Sequence, residues 1–589
     1  MKVKVSKIGG QAVMEGVMMR GEKSVATAVR KPNGDIVVDS SRVTLSKRMK
    51  TVGKIPIVRG IINFCNMIFL GTKTLMNSAE MQGVELEPSK FEKWFSEKFK
   101  LDLFSVAMWI GVILGVLLAV GLFFVLPQVF TSLIMKIPGA DSMHVILKNL
   151  IEGVIRIAMF VLYILLVSLM KDVKRVFMYH GAEHKTINCY ESGKPLTIEN
   201  VRNSSRIHNR CGTTFLFIVM IISILLFSLC GWDSRWWVRL LIRLALIPLV
   251  MGVSYEILKV LAKYDNLFVN ILRGPGLLLQ RVTTANPTDE MLMVAMASFK
   301  TVQKLDEDET LPTGSGVYLY DYFEIKDLVD SRSKIEGYEE EFEWILCSRK
   351  NVERVKLVSS KFDYDDVSDA VYKLDRVKNG EPLDYVLGES VFYGYKLTVN
   401  KNVLVPRPET ELVVEQALKY ITTDSRVLDL CTGSGAIAIT IKKQSGASVV
   451  ASDISEGALS VAKLNARKND ADVKFVLSDL FENVEGEFDV IVSNPPYIRS
   501  GDIEGLDRSV KDYEPRLALD GGESGFDVYD KILTALPSKL KSGGTLVFEC
   551  GYDQADELIG KINGFKEVFA VKDYSGIDRI IIAKGYENV

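Results

Sequence analysis

At 589 residues, the chain is too long for one hydrophobic core, so two or more domains are expected. A net charge of −2 leaves no basic footprint for tight, non-specific nucleic-acid binding. The seven cysteines (Cys65, Cys189, Cys211, Cys230, Cys347, Cys431, Cys550) are scattered and odd in number, which argues against a disulfide framework and for a reducing compartment.

Mean hydropathy is positive although 25% of the residues are charged, so one part of the chain must be strongly apolar. The first hundred residues are polar and mixed, and no cleavable signal peptide is expected. Residues 1 to about 60 read as a small β-rich unit. In it, Val25–Val29 and Asp35–Asp39 flank a Pro-Asn-Gly turn at 32–34, a hairpin signal. Residues 55–80 predict an amphipathic helix suited to a membrane surface.

Four stretches are long and apolar enough to cross a bilayer, which needs roughly 20 residues: Phe104–Met135, Val154–Met170, Thr213–Cys230 and Val238–Val260. The second is short unless Asn149, Glu152 and Arg156 are drawn in. The fourth carries Arg239 and Arg243 near one end and Glu256 near the other, so for these two a buried soluble helix is the competing reading. Between the second and third stretches lie Lys171, Lys174, Arg175, Lys185, Lys194, Arg202, Arg206 and Arg210. The other loops are sparse in cations, and Trp232, Trp236 and Trp237 form an aromatic belt in one of them. Basic loops stay cytoplasmic, so both ends of the chain and the 171–212 loop are expected in the cytoplasm of a multi-pass membrane protein.

Residues 265–302 return to a mixed helical pattern, and 303–316 are acidic and end in Pro, Gly and Ser, as a linker does. From 317 to about 390 charged residues alternate with Phe342, Ile345, Leu346, Val352, Val355 and Leu357 at helical spacing, which predicts a small helical domain. Beyond it, in 391–589, strands at Val427–Leu430, Ser448–Ile454, Val473–Ser478, Phe488–Ser493 and Gly544–Glu549 alternate with helices. This predicts a Rossmann-like α/β domain with a parallel sheet. The expected division is a 1–302 membrane domain, a 303–316 linker, a 317–390 helical domain and a 391–589 α/β domain.

The first of these strands runs into Asp429-Leu-Cys-Thr-Gly-Ser-Gly435. Gly433 and Gly435 let the backbone approach a ligand, although a nicotinamide dehydrogenase uses the same turn. Asp453 ends the second strand, 24 residues after Asp429, where a carboxylate accepts ribose hydroxyls; capping the next helix is its alternative role. Asp479, at the third strand, is placed to take an adenine amino group. Asn494-Pro-Pro-Tyr497 closes the fourth strand, on the ligand side of such sheets. An amide nitrogen is a poor nucleophile because its lone pair is delocalised. For methylation it must be held in line at about 3–3.5 Å from the methyl donor. The Asn494 side-chain oxygen and the Pro495 carbonyl can accept its two hydrogens. Two prolines keep that pair rigid, and Tyr497 can lie against the flat amide.

From about Glu336 onward the chain resembles the bacterial release factor glutamine methyltransferases. Beyond the tetrapeptide, the likeness rests on Glu381-Pro-Leu-Asp-Tyr-Val-Leu-Gly388, Val405-Pro-Arg-Pro-Glu-Thr-Glu411 and Glu514-Pro-Arg-Leu-Ala-Leu-Asp-Gly-Gly-Glu-Ser-Gly525. The resemblance implies a class I fold dependent on S-adenosylmethionine, with the Gly-Gly-Gln glutamine of peptide-chain release factors as substrate and the small helical domain as its docking surface. Carried over by position, Cys431, Thr432, Gly433, Ser434, Gly435, Asp453, Asp479, Leu480 and Asn494 would hold the cofactor. Asn494, Pro495, Pro496 and Tyr497 would hold substrate, with Asn494, Pro495 and Tyr497 catalytic. The family often has Gly at position 431 and a large aromatic at 480, so Phe481 is the alternative for adenine packing. Adenine N6-methylation of nucleic acid is the rival chemistry. It wants a basic channel, whereas Arg499, Asp502, Glu504, Asp507 and Arg508 follow the tetrapeptide here.

In the first half, Ile8–Gly21 and Pro275–Pro287 resemble a bacterial membrane-domain family of unknown function, YqhQ-like, which implies no activity. Three of the four histidines, His180, His184 and His208, fall in the basic loop. His180-Gly-Ala-Glu-His184 has the H-x-x-E-H spacing, which puts two imidazoles on one helix face. His180, Glu183, His184, His208 and Cys211 are candidates for a zinc-type metal, with Cys189 nearby. A hydrogen-bonded loop packed on the membrane helices is the competing reading, and a hydrolase the third. On the broadest alternative, the chain is a membrane scaffold or metal-binding module that carries an accessory methyltransferase.

Overall fold

The computed structural model describes residues 6–43, 55–82, 103–138, 143–232, 235–261 and 267–587. Two compact units emerge, one of residues 1–334 with 358–368 and one of 335–357 with 369–589.

The first unit holds an antiparallel sheet of β1 (Gly9–Val13), β2 (Gly16–Arg20), β3 (Ser24–Arg30), β4 (Ile36–Arg42) and β5 (Ser315–Val317). The hairpin read from the sequence is β3–β4, with Arg30 opposite Ile36 and Gly34 at φ 98° in the turn. The helix Asp289–Glu307 packs on this sheet; its Ser298 hydroxyl donates to the Ala26 carbonyl (2.9 Å) and accepts from the Met19 amide (3.1 Å). Residues 303–316 hold the end of that helix and then run into β5, where the Gly314 carbonyl accepts from the Ser40 amide at 2.9 Å.

Among the described residues, three helices are long and apolar enough to cross a membrane: Ile110–Ile134, Val145–Val167 and Trp236–Leu261. The stretch expected to be a further span is a shorter helix of 17 residues, Gly212–Ser228. The polar extension of the second stretch is indeed helical, because its charges are matched inside the bundle. Glu152 Oε1 accepts from Arg156 at 2.9 Å and from Arg243 on the Trp236–Leu261 helix. Arg243 also donates to Asn149 Oδ1 at 3.1 Å. The Glu256 carboxylate at the other end pairs with Arg59 of the helix Val58–Met81, expected over residues 55–80.

The second unit opens with helix Glu339–Lys350 and the hairpin β6 (Glu389–Phe392) and β7 (Tyr395–Thr398). Then come β8 (Arg426–Leu430), β9 (Ser448–Asp453), β10 (Val473–Leu477), β11 (Phe488–Ser493), β12 (Leu540–Glu549), β13 (Phe565–Lys572) and β14 (Asp578–Tyr586). They form one sheet in the order β10-β9-β8-β11-β12-β14-β13. The strands expected from sequence are the five parallel ones. The sheet as a whole is mixed, because β14 runs antiparallel to β12 and β13. The turn between β13 and β14 is too short for a crossover, so the pair must form a hairpin. Alternation along β8 sends Val427 into one core layer and Leu428 and Leu430 into the other, so both faces are covered. The strand order reverses between β8 and β11, and a crevice opens there at the strands' carboxyl ends.

Candidate active site

A cavity of about 510 Å³ lies in that crevice, within the size range of small-molecule sites. Cys431, Thr432, Gly433, Ser434, Asp453, Asp479, Leu480, Asn494 and Pro496 all line it. Gly435 sits behind, at φ 85°, and begins the helix Ala436–Ser445. Phe481 does not line it: that ring is buried in the core, and Leu480 faces the cavity instead.

The loop after β8 is held from beneath. Asp429 is fully buried, and its Oδ2 accepts from the Thr432 hydroxyl (2.6 Å) and the Ala438 amide (3.1 Å). Asp453 joins two loops: Oδ2 accepts from the Gly433 amide (2.8 Å) and Oδ1 from the Ser455 amide (2.9 Å). The next helix is capped by Ser455 rather than by Asp453.

Cys431 adopts φ 59°, a left-handed conformation that costs a non-glycine residue about 1–2 kcal/mol. Glycine, which the resemblance implies at this position, would avoid that strain. Cys431→Gly is expected to stabilise this loop by about 1 kcal/mol. The readout is slower hydrogen exchange of the β8 amides in the full chain; unchanged exchange would mean that the thiol's packing offsets the strain.

Burial pushes the Asp429 carboxyl from 3.8 up to about 7, against the pull of its Thr432 and Ala438 hydrogen bonds. The folded state therefore holds a proton that the unfolded chain releases. The resulting stabilisation is complete below pH 3.8 and is lost as pH rises to about 7. Denaturation of the full chain without cofactor should show the second unit weakening across this window, and Asp429→Asn should flatten the decline. A profile unchanged by the substitution would place the proton elsewhere.

Asn494-Pro-Pro-Tyr497 leaves β11 at the cavity edge. The Asn494 side-chain nitrogen donates to Thr410 Oγ1 (3.3 Å), and that hydroxyl donates to Glu549 Oε2 (2.6 Å). The Tyr497 hydroxyl donates to Glu549 Oε1 at 3.4 Å. Glu549 ends β12, and burial pushes its carboxyl up to about 7. Thr410 and Glu549 were not singled out from sequence. Thr410 lies in the Val405–Glu411 segment, which marked it only through resemblance, and Glu549 was simply the end of a strand.

Two further segments of the resemblance, Val405–Glu411 and Glu514–Gly525, meet each other, and the second also reaches this loop. Arg407 pairs with Glu514 at 2.6 Å. The Gly521 amide donates to the Ile498 carbonyl at 2.8 Å. A Cβ at Gly521 would stand 2.8 Å from the Tyr497 backbone, so only glycine permits this approach.

Of the five metal candidates, the first unit brings His180, His184 and Cys211 together, their ligand atoms all within 4.8 Å of one another. Glu183 and His208 lie outside this group: the Glu183 carboxyl takes the Gly10 amide, and His208 Nε2 faces Glu191 at 3.4 Å. Cys189 contacts the Pro195 carbonyl.

A doubly wound sheet with its cavity at the β8/β11 reversal, carboxylates after β9 and β10, and Asn-Pro-Pro-Tyr after β11 defines a methyltransferase domain of the S-adenosylmethionine-dependent fold. Residues 407–509 match the family model "Methyltransferase small domain", and residues 55–305 match "Protein of unknown function (DUF1385)". A release factor glutamine methyltransferase of Geobacter sulfurreducens is 39% identical over 254 residues, covering 42% of this chain and 89% of the relative. The enzyme of that name from Clostridium acetobutylicum is 42% identical over 216 residues, covering 35% of this chain and 76% of the relative. The uncharacterised protein YqhQ of Bacillus subtilis is 36% identical over 301 residues, covering 51% of this chain and 92% of the relative. The chain therefore belongs to two families at once, the YqhQ-like proteins in its N-terminal part and the release factor glutamine methyltransferases in its C-terminal part.

Proposed function

We propose that the second unit transfers a methyl group from S-adenosylmethionine to the side-chain amide nitrogen of the glutamine in the Gly-Gly-Gln motif of peptide-chain release factors. The observation that carries this reading is the chain Asn494–Thr410–Glu549. By taking the Asn494 NH2, Thr410 turns the side-chain oxygen the other way, as an acceptor for one substrate N–H. The Pro495 carbonyl takes the second, and the nitrogen stays planar with its lone pair directed at the incoming methyl. Tyr497, tethered to Glu549, is the wall beside that amide.

The cavity suits the cofactor. Asp453 faces it with an ionisable carboxyl, as ribose hydroxyls need. A Cβ at Gly433 would meet nothing within 4 Å, so the backbone borders open space there. Cys431–Gly435, Asp453, Asp479 and Leu480 would hold the cofactor, which when bound supplies an electrophilic methyl group. The arginines beside the site are engaged by carboxylates: Arg499 with Asp553 and Asp502, Arg508 with Asp512, and Arg516 with Asp520. That favours a protein substrate over a phosphate backbone.

The long apolar helices support a multi-pass membrane protein. With the shorter apolar helix Gly212–Ser228 taken as a fourth crossing, the eight basic residues of the 171–212 segment favour a cytoplasmic side for that segment, both chain ends and the methyltransferase. The test is to incubate the purified full chain with isotopically labelled cofactor and a release factor, then map the label by mass spectrometry. One methyl on the Gly-Gly-Gln glutamine is expected. Label that goes to nucleic acid, or that persists when this glutamine is replaced, would overturn the assignment.

A further inference from the structure

The methyltransferase makes no use of the cluster in the first unit, yet three separate sequence segments converge to build it. His180 and His184 stand one turn apart on the helix Lys171–Glu191, their ring centroids 4.4 Å apart. Each ring uses Nδ1 on a main-chain carbonyl: His180 on Thr283 at 2.9 Å and His184 on Arg206 at 2.7 Å. A carbonyl only accepts, so both rings must carry a proton on Nδ1. In the neutral imidazole, each Nε2 is then a lone pair.

His180 Nε2 lies 3.2 Å from Cys211 Sγ, and all three ligand atoms fall within 4.8 Å of one another. A single thiol hydrogen cannot satisfy two imidazole acceptors. His184 is 1% exposed and Cys211 8%, His180 is half-buried, and the Thr213 hydroxyl 2.9 Å away meets the Cys211 sulfur, so the two ring acceptors share one thiol hydrogen in a largely buried place. A cation resolves that imbalance.

The surrounding chain keeps the rings in this pose. A Cβ at Gly181 would come within 2.1 Å of the Ala285 carbonyl. Glycine there lets residues 283–285 lie against the helix, with the Ala285 amide donating to the Phe177 carbonyl at 2.9 Å. That contact delivers the Thr283 carbonyl to His180. Gln280 grips the His208 backbone on both sides, accepting from its amide at 3.0 Å and donating to its carbonyl at 2.9 Å, and so fixes the approach to Cys211. Carbonyls that orient ligating imidazoles through Nδ1 are the usual outer shell of a metal site.

We infer that His180 Nε2, His184 Nε2 and Cys211 Sγ bind one divalent transition-metal ion of the zinc type, leaving a fourth position for water or an exogenous ligand. Two imidazoles and one thiolate suit zinc, and three protein ligands with an open position mark reactive rather than purely structural sites. Binding breaks the Cys211 S–H bond, releases its proton to solvent and forms a metal–sulfur bond; no oxidation state changes. Glu183 and His208 are not ligands in this arrangement.

The test uses the full chain purified in detergent from cells grown with zinc. Elemental analysis should find close to one metal ion per chain. Loading the metal-free protein with Co²⁺ should produce a thiolate-to-cobalt charge-transfer band in the near ultraviolet. Cys211→Ser should abolish that band, His184→Gln should weaken metal affinity by at least about tenfold, and His208→Gln should keep both metal and band. The cobalt spectrum of the unmutated chain is independent of whether any variant folds. No band on that chain at stoichiometric Co²⁺, or a band that survives in Cys211→Ser, would overturn the site. Because the readout is spectroscopic and the cluster lies in the first unit, neither result depends on methyltransferase activity.

Discussion

Replacing Asn494 by Ala lowers methyl transfer by about 10²–10³-fold, the loss typical of removing one preorganised electrostatic partner from a reacting group, while cofactor affinity changes only a few-fold. The substrate nitrogen would keep one acceptor, the Pro495 carbonyl, and be free to rotate out of line. Cofactor affinity survives because the loops after β8 and β9 are held through Asp429 and Asp453 by bonds from the Ala438 and Gly433 amides that do not involve Asn494. Thr410→Ala should cost less, about tenfold, because the acceptor remains and only its orientation is loosened. The measurement pairs single-turnover methylation of a release factor with calorimetric titration of the cofactor. Unchanged turnover in Asn494→Ala would remove the proposed role, and loss of cofactor binding would move Asn494 to a different one.

The second large effect lies in the apolar bundle. Glu152→Ala should destabilise the first unit by about 3–5 kcal/mol, since it leaves Arg156 and Arg243 without the carboxylate they share. Arg156 keeps the Phe123 carbonyl at 2.9 Å, a dipole offered by the π-turn Gly121–Val125. Neither this carbonyl nor the Phe227 ring beside both guanidinium groups neutralises two cations. Glu152→Gln should fall between the two, as it retains an acceptor without the charge. Thermal unfolding of the full chain in detergent reads the effect. A melting profile indistinguishable from the parent would mean that lipid phosphate or water replaces Glu152.

Much of the architecture was legible as local pattern. Short apolar runs located all five parallel strands, because β8, β9, β11 and β12 are largely buried on both faces and the edge strand β10 is half-buried, and the Pro-Asn-Gly turn announced β3–β4. The strands β13 and β14 carry no such pattern. Lys566, Glu567, Lys572, Lys584 and Gly585 interrupt their apolar residues, and pairing across the sheet edge, not pattern, makes them strands. Residues 303–316 read as a linker because their composition is acidic and turn-rich. That β4 offers an open edge to Ser315–Val317, as Val37 pairs with Val317 and Asp39 with Ser315, is information held at the far end of the first unit's sequence.

What the sequence determined alone is the chemistry available: an amide-gripping Asn-Pro-Pro-Tyr after a strand, a glycine-rich turn, paired acids, and two histidines one helical turn apart. Such features depend on residues within a few positions of each other, where covalent geometry controls spacing. Only the tertiary structure decided which partners those groups meet. It set Thr410 and Glu549 behind Asn494, placed Leu480 rather than Phe481 at the cavity, and chose Cys211 over Glu183 and His208 to join the two imidazoles. Contacts between distant segments follow from which surfaces exclude water together, and no local spacing encodes that.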